Sequence, residues 1–270
     1  MNKHYKRVLT IAGSDPSGGA GIQADLKTFS ACGCFGTSAI VAVVDENTVG
    51  VTAVHPIPVD FVAGQITSVL DDIGTNAVKI GMLHSSELIR TVKETLSAYE
   101  IKNIVLDPVM VATSGDKLLQ DEAIGTLKNE LVPFARVITP NLPEAEVLAG
   151  RKINGQHDFR HVIKELSAGR SVSVLLKAGH LKGETLTDVF YNAETDEMTE
   201  LTSKRIHTKN THGTGCTFSS AIAAFLAHDM SLNDAVRRAK DYMESAIAAG
   251  AEYEIGKGNG PVHHFFNFWK

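Results

Sequence analysis

The stretch Thr208-Lys-Asn-Thr-His-Gly-Thr-Gly-Cys-Thr-Phe-Ser-Ser220 places two glycines directly before a run with helical apolar spacing. Gly213 and Gly215 therefore lie at a predicted junction between a loop and a helix. Free backbone N–H groups converge at a helix N-terminus, the helix dipole adds partial positive charge, and glycine lets the backbone approach an anion closely. The stretch predicts a phosphate-binding loop, and we expect Cys216, in the first helical turn, to have a favoured thiolate. A packed core thiol is the alternative for Cys216.

On the N-terminal side of this stretch, predicted helices alternate with short and nearly continuous apolar segments. This alternation predicts crossover units in a mostly parallel sheet that helices cover on both faces, which is an α/β fold. No linker-like or low-complexity tract interrupts the chain, so we expect residues 1–270 to form a single domain. The predicted strands of this sheet cover 7–12, 37–44, 50–57, 77–81, 103–107, 136–139 and 173–177, and a hairpin is predicted over 187–205.

Charge and composition argue against several classes of protein. The net charge of −5 does not suit a general nucleic-acid binder or a protein of acidic membrane surfaces. No apolar run is long enough to cross a bilayer, and the first residues lack a signal-peptide pattern, so we expect a cytoplasmic protein. The cysteines, Cys32, Cys34 and Cys216, predict neither a disulfide framework nor a zinc site.

Residues that directly follow the predicted strands are candidates for the functional site, because ligands bind parallel sheets beyond the carboxyl ends of the strands. The carboxylates of Asp107 and Glu144 and the amide oxygen of Asn141 suit Mg²⁺, which in turn suits nucleotide phosphates. Lys177 is placed to meet a phosphate directly. Capping or starting a helix is the alternative role for Asp107, Asn141 and Glu144.

A second glycine pattern predicts a different function. Gly19-Ala-Gly-Ile-Gln-Ala24 follows a strand and opens a helix, and Asp45 follows the next strand, as in a dinucleotide fingerprint. A nicotinamide-dependent oxidoreductase is therefore an alternative. The fit is imperfect because residues 13–18 insert a turn between the strand and these glycines. No Walker A sequence is present, which excludes a P-loop enzyme.

Seven motifs, in order along nearly the whole chain, resemble the hydroxymethylpyrimidine/phosphomethylpyrimidine kinases of thiamin biosynthesis. This family belongs to the ribokinase-like superfamily and is related to one class of pyridoxal kinases. The motifs are Ala12-Gly-Ser-Asp-Pro-Ser-Gly-Gly-Ala-Gly-Ile-Gln-Ala-Asp-Leu-Lys-Thr28, Lys79-Ile-Gly-Met-Leu83, Asp107-Pro-Val-Met110, Ile138-Thr-Pro-Asn-Leu-Pro-Glu-Ala145, Lys177-Ala-Gly-His180, Asn210-Thr-His-Gly-Thr-Gly-Cys-Thr217 and Gly256-Lys-Gly-Asn-Gly-Pro-Val-His-His264.

The resemblance implies a ribokinase-like three-layer sandwich and two successive ATP-dependent phosphorylations. The first acts on the hydroxymethyl group of 4-amino-5-hydroxymethyl-2-methylpyrimidine and the second on the resulting monophosphate. The resemblance also implies Mg²⁺ with ATP as phosphoryl donor, and a homodimer.

The resemblance also assigns roles by motif position. Gly213, Thr214, Gly215 and Cys216 would surround the transferring phosphoryl group, with Cys216 where most ribokinase-like enzymes keep an Asp base. The remaining assignments are Gly13, Asp25, Glu46, Met82 and Val109 for the acceptor, Lys177, Thr208 and His212 for the nucleotide, and Asp107, Asn141 and Glu144 for Mg²⁺.

One position departs from the family pattern. The chain has Glu46-Asn-Thr48 where the family usually has Gln-Asn-Thr. A Glu accepts from the 4-amino group of the pyrimidine, but it pairs with a ring nitrogen only when one of the two is protonated. A pyridoxal or pyridoxine kinase is therefore an open alternative. A non-catalytic ligand sensor on the same fold is a further one, against which Cys216, Asn141 and Glu144 argue.

Two features receive no catalytic role from the sequence. Cys32 and Cys34 are expected to pack or to face solvent near the end of the first helix. The C-terminal His263-His-Phe-Phe-Asn-Phe-Trp269 is expected to anchor on its own domain, with docking of a second subunit as the alternative.

Overall fold

The structure is a computed structural model that describes residues 3–110, 119–169 and 171–269. Its strands are β1 (Arg7–Ala12), β2 (Phe35–Ile40), β3 (Ala42–Glu46), β4 (Val51–Pro56), β5 (Ala77–Ile80), β6 (Ile104–Leu106), β7 (Val137–Ile138), β8 (Ser173–Leu176), β9 (Thr185–Asn192) and β10 (Glu197–Lys204). Its α-helices are α1 (Gly21–Ala31), α2 (Val59–Asp72), α3 (Ser86–Ser97), α4 (Asp121–Thr126), α5 (Leu142–Ala149), α6 (Phe159–Leu166), α7 (Thr214–Ala227) and α8 (Leu232–Gly250). The turns that continue α4 are π-helical over Leu127–Leu131 and 3₁₀-helical over Val132–Phe134.

In the described part of the chain, eight strands form the central sheet in the order β10-β9-β8-β7-β6-β5-β1-β2. The neighbours from β2 to β8 pair in parallel, while β8, β9 and β10 are joined antiparallel. Every residue of β5, β6, β7 and β8 is buried, which explains their nearly continuous apolar sequences. The mostly parallel sheet predicted from the sequence is confirmed.

Alternate residues of the strands pack into two separate apolar clusters, one on each face of the sheet. Leu9 and Ile11 of β1 join the cluster formed with α2, α3, α5 and α6, whereas Val8 joins the cluster formed with α1, α7 and α8. Helix α7 is buried throughout Thr217–Ala227 and lies between α1 and α8 against β1, β5 and β6. Its N-terminus is thereby fixed at one edge of the sheet.

The predicted strand over 37–44 is divided in two. Strand β2 ends at Ile40 in the central sheet, while β3 begins at Ala42 and pairs antiparallel with β4 in a separate two-stranded sheet. The chain bends at Val41, where its N–H donates to the Ala12 carbonyl at 3.0 Å and the Ser14 N–H donates to the Ala42 carbonyl at 2.9 Å. The β3–β4 hairpin therefore leaves the sheet just beyond the end of β1.

Among the described residues, no helix combines the length and the apolar character needed to cross a membrane.

Candidate active site

A cavity of about 780 Å³ lies at the carboxyl ends of the parallel strands, where the sequence predicted the site. The predicted residues that line it are Gly13, Glu46, Met82, Asp107, Val109, Asn141, Glu144, Lys177, His212, Gly213, Thr214, Gly215 and Cys216. Two predicted residues, Asp25 and Thr208, are absent from its lining. Most of the residues predicted from their position after the strands therefore line one cavity.

The predicted phosphate-binding loop ends at the first residue of α7. Gly213 has a φ of 73°, in the left-handed region that favours glycine, and a Cβ there would lie 1.8 Å from the Gly19 carbonyl oxygen. No side chain caps α7, and the first intrahelical bond joins the Thr217 N–H to the Gly213 carbonyl at 2.9 Å. The Thr214 N–H donates to the Thr211 carbonyl at 3.3 Å, which leaves the N–H groups of Gly215 and Cys216, two residues that line the cavity, without an intrahelical acceptor, in the arrangement that binds anions.

Cys216 is half-buried and lines the cavity, but it is not an activated thiol in this structure. Burial raises the pKa of Cys216 to about 12, against the lowering effects of the Lys79 ammonium and of the Gly21 N–H. The expectation of a favoured thiolate is wrong here, because loss of solvation outweighs the effect of the helix N-terminus.

Lys177 and Asp107 form an ion pair beside the phosphate-binding loop. Lys177 Nζ lies 3.1 Å from Asp107 Oδ1, and the Thr139 hydroxyl donates to the same oxygen at 2.9 Å. Burial acts to raise the pKa of Asp107, but the ammonium groups of Lys177 and Lys79 outweigh it, so that this pKa lies below its ordinary value. A Cβ at Gly215 would come within 3.4 Å of Lys177 Nζ, so α7 passes this pair very closely.

Asn141 and Glu144 hold the N-terminus of α5 by a capping box. The Glu144 N–H donates to Asn141 Oδ1 at 2.9 Å, and the Asn141 N–H donates to Glu144 Oε2 at 2.8 Å. The capping alternative considered for these residues is therefore present in the structure. Burial, with the nearby Asp107 carboxylate, raises the pKa of Glu144 to about 7.

The oxygen groups at this position fit Mg²⁺ that arrives with phosphates. Within the described ranges, no group of three or more His, Cys, Asp or Glu side chains could hold a metal ion alone. The carboxylates of Asp107 and Glu144 line the same cavity, and the charge of Asp107 contributes to the raised pKa of Glu144. Mg²⁺ is commonly held in this way, by one or two carboxylates together with water and substrate phosphates.

The opposite part of the cavity contains a cluster of Asp15, Glu46 and His212. His212 Nε2 lies 2.8 Å from Asp15 Oδ2 and 4.0 Å from Glu46 Oε1. Burial acts to lower the pKa of His212, but Asp15 and then Glu46 outweigh it, so that this pKa is raised. His212, expected at the nucleotide, thus lies beside Glu46, which was expected at the acceptor.

Gly13 and Met82 form the wall next to this cluster. A Cβ at Gly13 would lie 2.6 Å from Met82 Cε, so a larger residue there would require the end of the methionine side chain to shift. Val109 lines the same cavity, and its N–H donates to the Asp107 carbonyl at 2.8 Å.

Asp15 is a cavity residue that the sequence analysis missed. Its Oδ2 accepts from the N–H groups of Gly19 and Ala20 at 3.0 and 2.6 Å, and its Oδ1 accepts from the Ser17 N–H at 2.7 Å. An Asp followed by Pro-Ser-Gly-Gly is typical of such a side-chain turn, which is the signal that could have found it. Because these N–H groups bind Asp15, they are not available to a pyrophosphate, and this argues against the dinucleotide fingerprint.

The apolar end of the cavity was also not predicted from the sequence. Leu186 of β9, Ile206, and Met243 and Ile247 of α8 line this end, with the ion pair between Lys240 Nζ and Asp188 Oδ2 at 2.8 Å beside them. Apolar residues on a strand and a helix look like ordinary core positions in a sequence, so no local signal distinguished them.

Asp25 and Thr208 lie outside the cavity surface. Asp25 is completely buried, and its carboxylate binds Lys79, Thr10 and Ser220. Thr208 Oγ1 accepts from the Asn210 N–H at 3.0 Å, within the loop that precedes α7.

Comparisons with known proteins agree with this geometry. A family model described as phosphomethylpyrimidine kinase matches residues 15–263. A hydroxymethylpyrimidine/phosphomethylpyrimidine kinase of Rhizobium meliloti (strain 1021) is 48% identical over 263 residues, covering 97% of this chain and 98% of the relative.

Two solved structures are similar over most of the chain. The ADP complex of Bacillus subtilis pyridoxal kinase has a TM-score of 0.88 and 38% identity, covering 97% of this chain and 98% of its own. A phosphomethylpyrimidine kinase from Clostridium difficile 630 has a TM-score of 0.77 and 43% identity, covering 89% of this chain and 99% of its own. These similarities confirm the predicted ribokinase-like sandwich, with its central sheet between two layers of helices.

Proposed function

The chain belongs to the phosphomethylpyrimidine kinase family, and from this membership we propose that it phosphorylates 4-amino-5-hydroxymethyl-2-methylpyrimidine with ATP. The product of the first transfer is the monophosphate, and a second transfer gives the diphosphate, as a step of thiamin biosynthesis. Residues 1–270 would act as one kinase domain. The observation that carries this proposal is a single cavity in which an uncapped helix N-terminus meets the Lys177–Asp107 pair.

The two ends of the cavity suit the two substrates. The apolar end between Leu186, Ile206 and Met243 suits a nucleotide base, and Lys177 with the start of α7 suits the terminal phosphate. The cluster around Glu46 and His212 suits the polar edge of the acceptor ring. This arrangement would bring the acceptor hydroxymethyl group to the phosphate-binding loop.

Asp107 and Glu144, with Asn141 beside them, would hold Mg²⁺ together with the phosphates. The ion would neutralise negative charge on the nucleotide. The protein's own contribution is mainly positioning and electrostatic stabilisation, because phosphoryl transfer needs little covalent chemistry from the enzyme. The N–H groups that open α7 and the Lys177 ammonium supply that stabilisation at the transferred group.

Cys216 would act as the base for the first transfer. The hydroxyl proton passes to the Sγ thiolate while the oxygen electron pair attacks the γ-phosphorus and ADP leaves. Burial keeps this thiol protonated in the free protein, and the Lys79 ammonium and the Gly21 N–H act in the opposite direction, toward the thiolate that this step needs. In the second transfer the attacking phosphate oxygen is already ionised, so no base is required.

A pyridoxal kinase is the second candidate, and two observations favour it. The Bacillus subtilis pyridoxal kinase shares the fold over 97% of this chain, with a TM-score of 0.88. In addition, Glu46 takes the position where the family usually has Gln. The homodimer and the cytoplasmic location expected from the sequence stay predictions.

The test is to measure ADP released per acceptor consumed, with Mg²⁺ and excess ATP, for the pyrimidine alcohol and for pyridoxal in parallel. Two ADP per pyrimidine alcohol is the expected result. One ADP from pyridoxal, with almost none from the pyrimidine, would establish the second candidate instead.

Two glycine variants link this activity to the cavity. Gly213→Ala should abolish ADP release, because a Cβ there would lie 1.8 Å from a backbone oxygen. Gly64→Ala, in α2, is the matched control, since a Cβ there meets no atom within 4 Å and activity should not change.

A further inference from the structure

The glycine-rich segment 256–261, which no catalytic role explains, packs against the turn between β3 and β4. Thr48 Oγ1 accepts from the N–H groups of Lys257 and Gly258 at 3.2 and 3.1 Å. The Thr48 carbonyl accepts from the Asn259 N–H at 2.8 Å. Three consecutive N–H groups of the segment are therefore bound to one threonine, two residues after Glu46.

Alternate glycines of this segment are required by close approach to two different loops. A Cβ at Gly256 would lie 2.2 Å from Thr48 Oγ1, and one at Gly258 would lie 1.9 Å from the Thr48 carbonyl oxygen. A Cβ at Gly260 would lie 2.1 Å from Asn210 Oδ1, in the loop that leads to α7. Larger residues would separate the segment from both loops.

The far end of the segment binds the phosphate-binding loop directly. The Gly260 carbonyl accepts from the His212 N–H at 3.0 Å, and Pro261 forms a bridge with His212. His212 precedes Gly213, and its ring lies 4.0 Å from the Glu46 carboxylate. The segment thus contacts the chain on both sides of the gap between Glu46 and the loop where phosphate is expected.

The geometry points to Thr48 as a positioning residue for the acceptor site. Through segment 256–261, Thr48 holds Glu46 at a fixed place relative to His212 and Gly213. This assignment rests on the proposed function, because it takes Glu46 as a contact of the acceptor ring. Most of the cavity residues at the apolar end belong to β9 and α8 rather than to the turn between β3 and β4, so acceptor binding should depend on Thr48 and ATP binding should not.

The test compares Thr48→Val, which keeps the shape of the side chain, with Thr48→Ser, which keeps the hydroxyl. Thr48→Val removes the acceptor of two N–H groups, and we expect KM for the pyrimidine alcohol to rise roughly tenfold. KM for ATP should stay within about twofold of its wild-type value, since the nucleotide end of the cavity does not depend on the Thr48 hydrogen bonds. Thr48→Ser should restore the wild-type KM for the acceptor.

Some results would overturn the proposal. An unchanged acceptor KM in Thr48→Val would do so, as would equal rises in both KM values or a Thr48→Ser variant as impaired as Thr48→Val. If Thr48→Val does not fold, Thr48→Ala removes the same hydroxyl without adding a methyl group, and the same comparison applies.

Hydrogen–deuterium exchange separates this proposal from the proposed function, because it needs no substrate. In Thr48→Val, the amides of residues 257–259 and of the turn 46–50 should exchange faster than in wild type and in Thr48→Ser. Unchanged exchange in Thr48→Val would show that the Thr48 hydroxyl does not hold residues 257–259 against the turn, whatever the activity. A wild-type protein that releases no ADP with the pyrimidine would instead refute the proposed function.

Discussion

Lys79 Nζ lies 2.9 Å from both carboxylate oxygens of Asp25, and neither side chain has exposed surface. Thr10 and Ser220 also donate to this carboxylate, at 2.6 and 2.7 Å, which links β1 to α7 beneath the cavity. Burial acts to lower the pKa of Lys79, but Asp25, Cys216 and Asp107 outweigh it and raise this pKa. The Lys79–Asp25 pair therefore supports the floor of the cavity below Cys216. From the sequence, Asp25 had instead been expected to contact the acceptor.

Lys79→Met should destabilise the protein strongly, because it leaves the Asp25 carboxylate buried without its charged partner. Losing one partner of a buried pair costs ~3–5 kcal/mol of the free energy of unfolding, which urea denaturation at pH 7 would measure. The double variant Lys79→Met/Asp25→Asn should recover most of this loss.

Arg160→Met is the matched control, since Arg160 pairs with Glu200 at 2.9 Å on the surface. Exposed pairs contribute ~0–1 kcal/mol, so this variant should unfold almost as the wild type does. If Lys79→Met costs no more than Arg160→Met, the buried pair does not have the role described.

The sequence predicted the alternation of strands and helices because buried parallel strands have local and nearly continuous apolar patterns. It also predicted the edge of the sheet where the cavity lies, since that edge follows from chain direction alone. It did not predict the division of 37–44, because the bend at Val41 depends on hydrogen bonds to Ala12 and Ser14, which are distant in the chain.

The charge states of the site residues could not be predicted from the sequence either. Cys216 follows two glycines at a helix start, which locally favours a thiolate, but burial by surrounding elements reverses the effect. Asn141 and Glu144 were weighed as caps or as metal ligands, and the capping box leaves their position next to Asp107 intact. The structure shows the capping role of these two side chains, and their role as metal ligands stays a prediction.

Alkylation of Cys216 should increase about tenfold per pH unit between pH ~7 and ~10 without a plateau. The reason is that its pKa is raised to about 12, so the reactive thiolate remains a small fraction throughout this range. Iodoacetamide labelling followed by peptide mass spectrometry would measure the rate. In urea the same peptide should level off near its ordinary pKa of ~8.5. A plateau below pH ~8 in the folded protein would show an activated thiolate instead.

Cys216→Ala should slow phosphorylation of the pyrimidine alcohol far more than that of its monophosphate. A general base adds ~10²–10⁴-fold to the rate, and only the alcohol has a proton to remove. The two transfers can be measured separately, with each acceptor supplied alone. Cys32→Ala is the control, because Cys32 does not line the cavity and its loss should leave both rates unchanged. Equal losses in both rates for Cys216→Ala would contradict this division of roles.

The Glu46 side chain presents different hydrogen-bonding groups to the acceptor ring from those of the Gln that the family usually has. Its side chain is 12% exposed, lines the cavity and lies 4.0 Å from His212 Nε2. A carboxylate only accepts hydrogen bonds, so it matches the 4-amino group together with a protonated ring nitrogen. An amide accepts from the amino group and donates to a neutral ring nitrogen, which matches the pyrimidine at higher pH.

Glu46→Gln should therefore raise the ratio of kcat/KM for the pyrimidine to kcat/KM for pyridoxal by about tenfold at pH 8, the effect of one hydrogen bond. For the pyrimidine, wild-type kcat/KM should fall as pH rises and the ring loses its proton, while that of the variant should change less. Removing the carboxylate should also lower the pKa of His212, because Glu46 contributes to its increase. Asp45→Asn is the matched control, since it removes the same charge from the exposed side of β3. If both variants give the same ratio, the effect is one of net charge, and Glu46 does not determine the choice of ring.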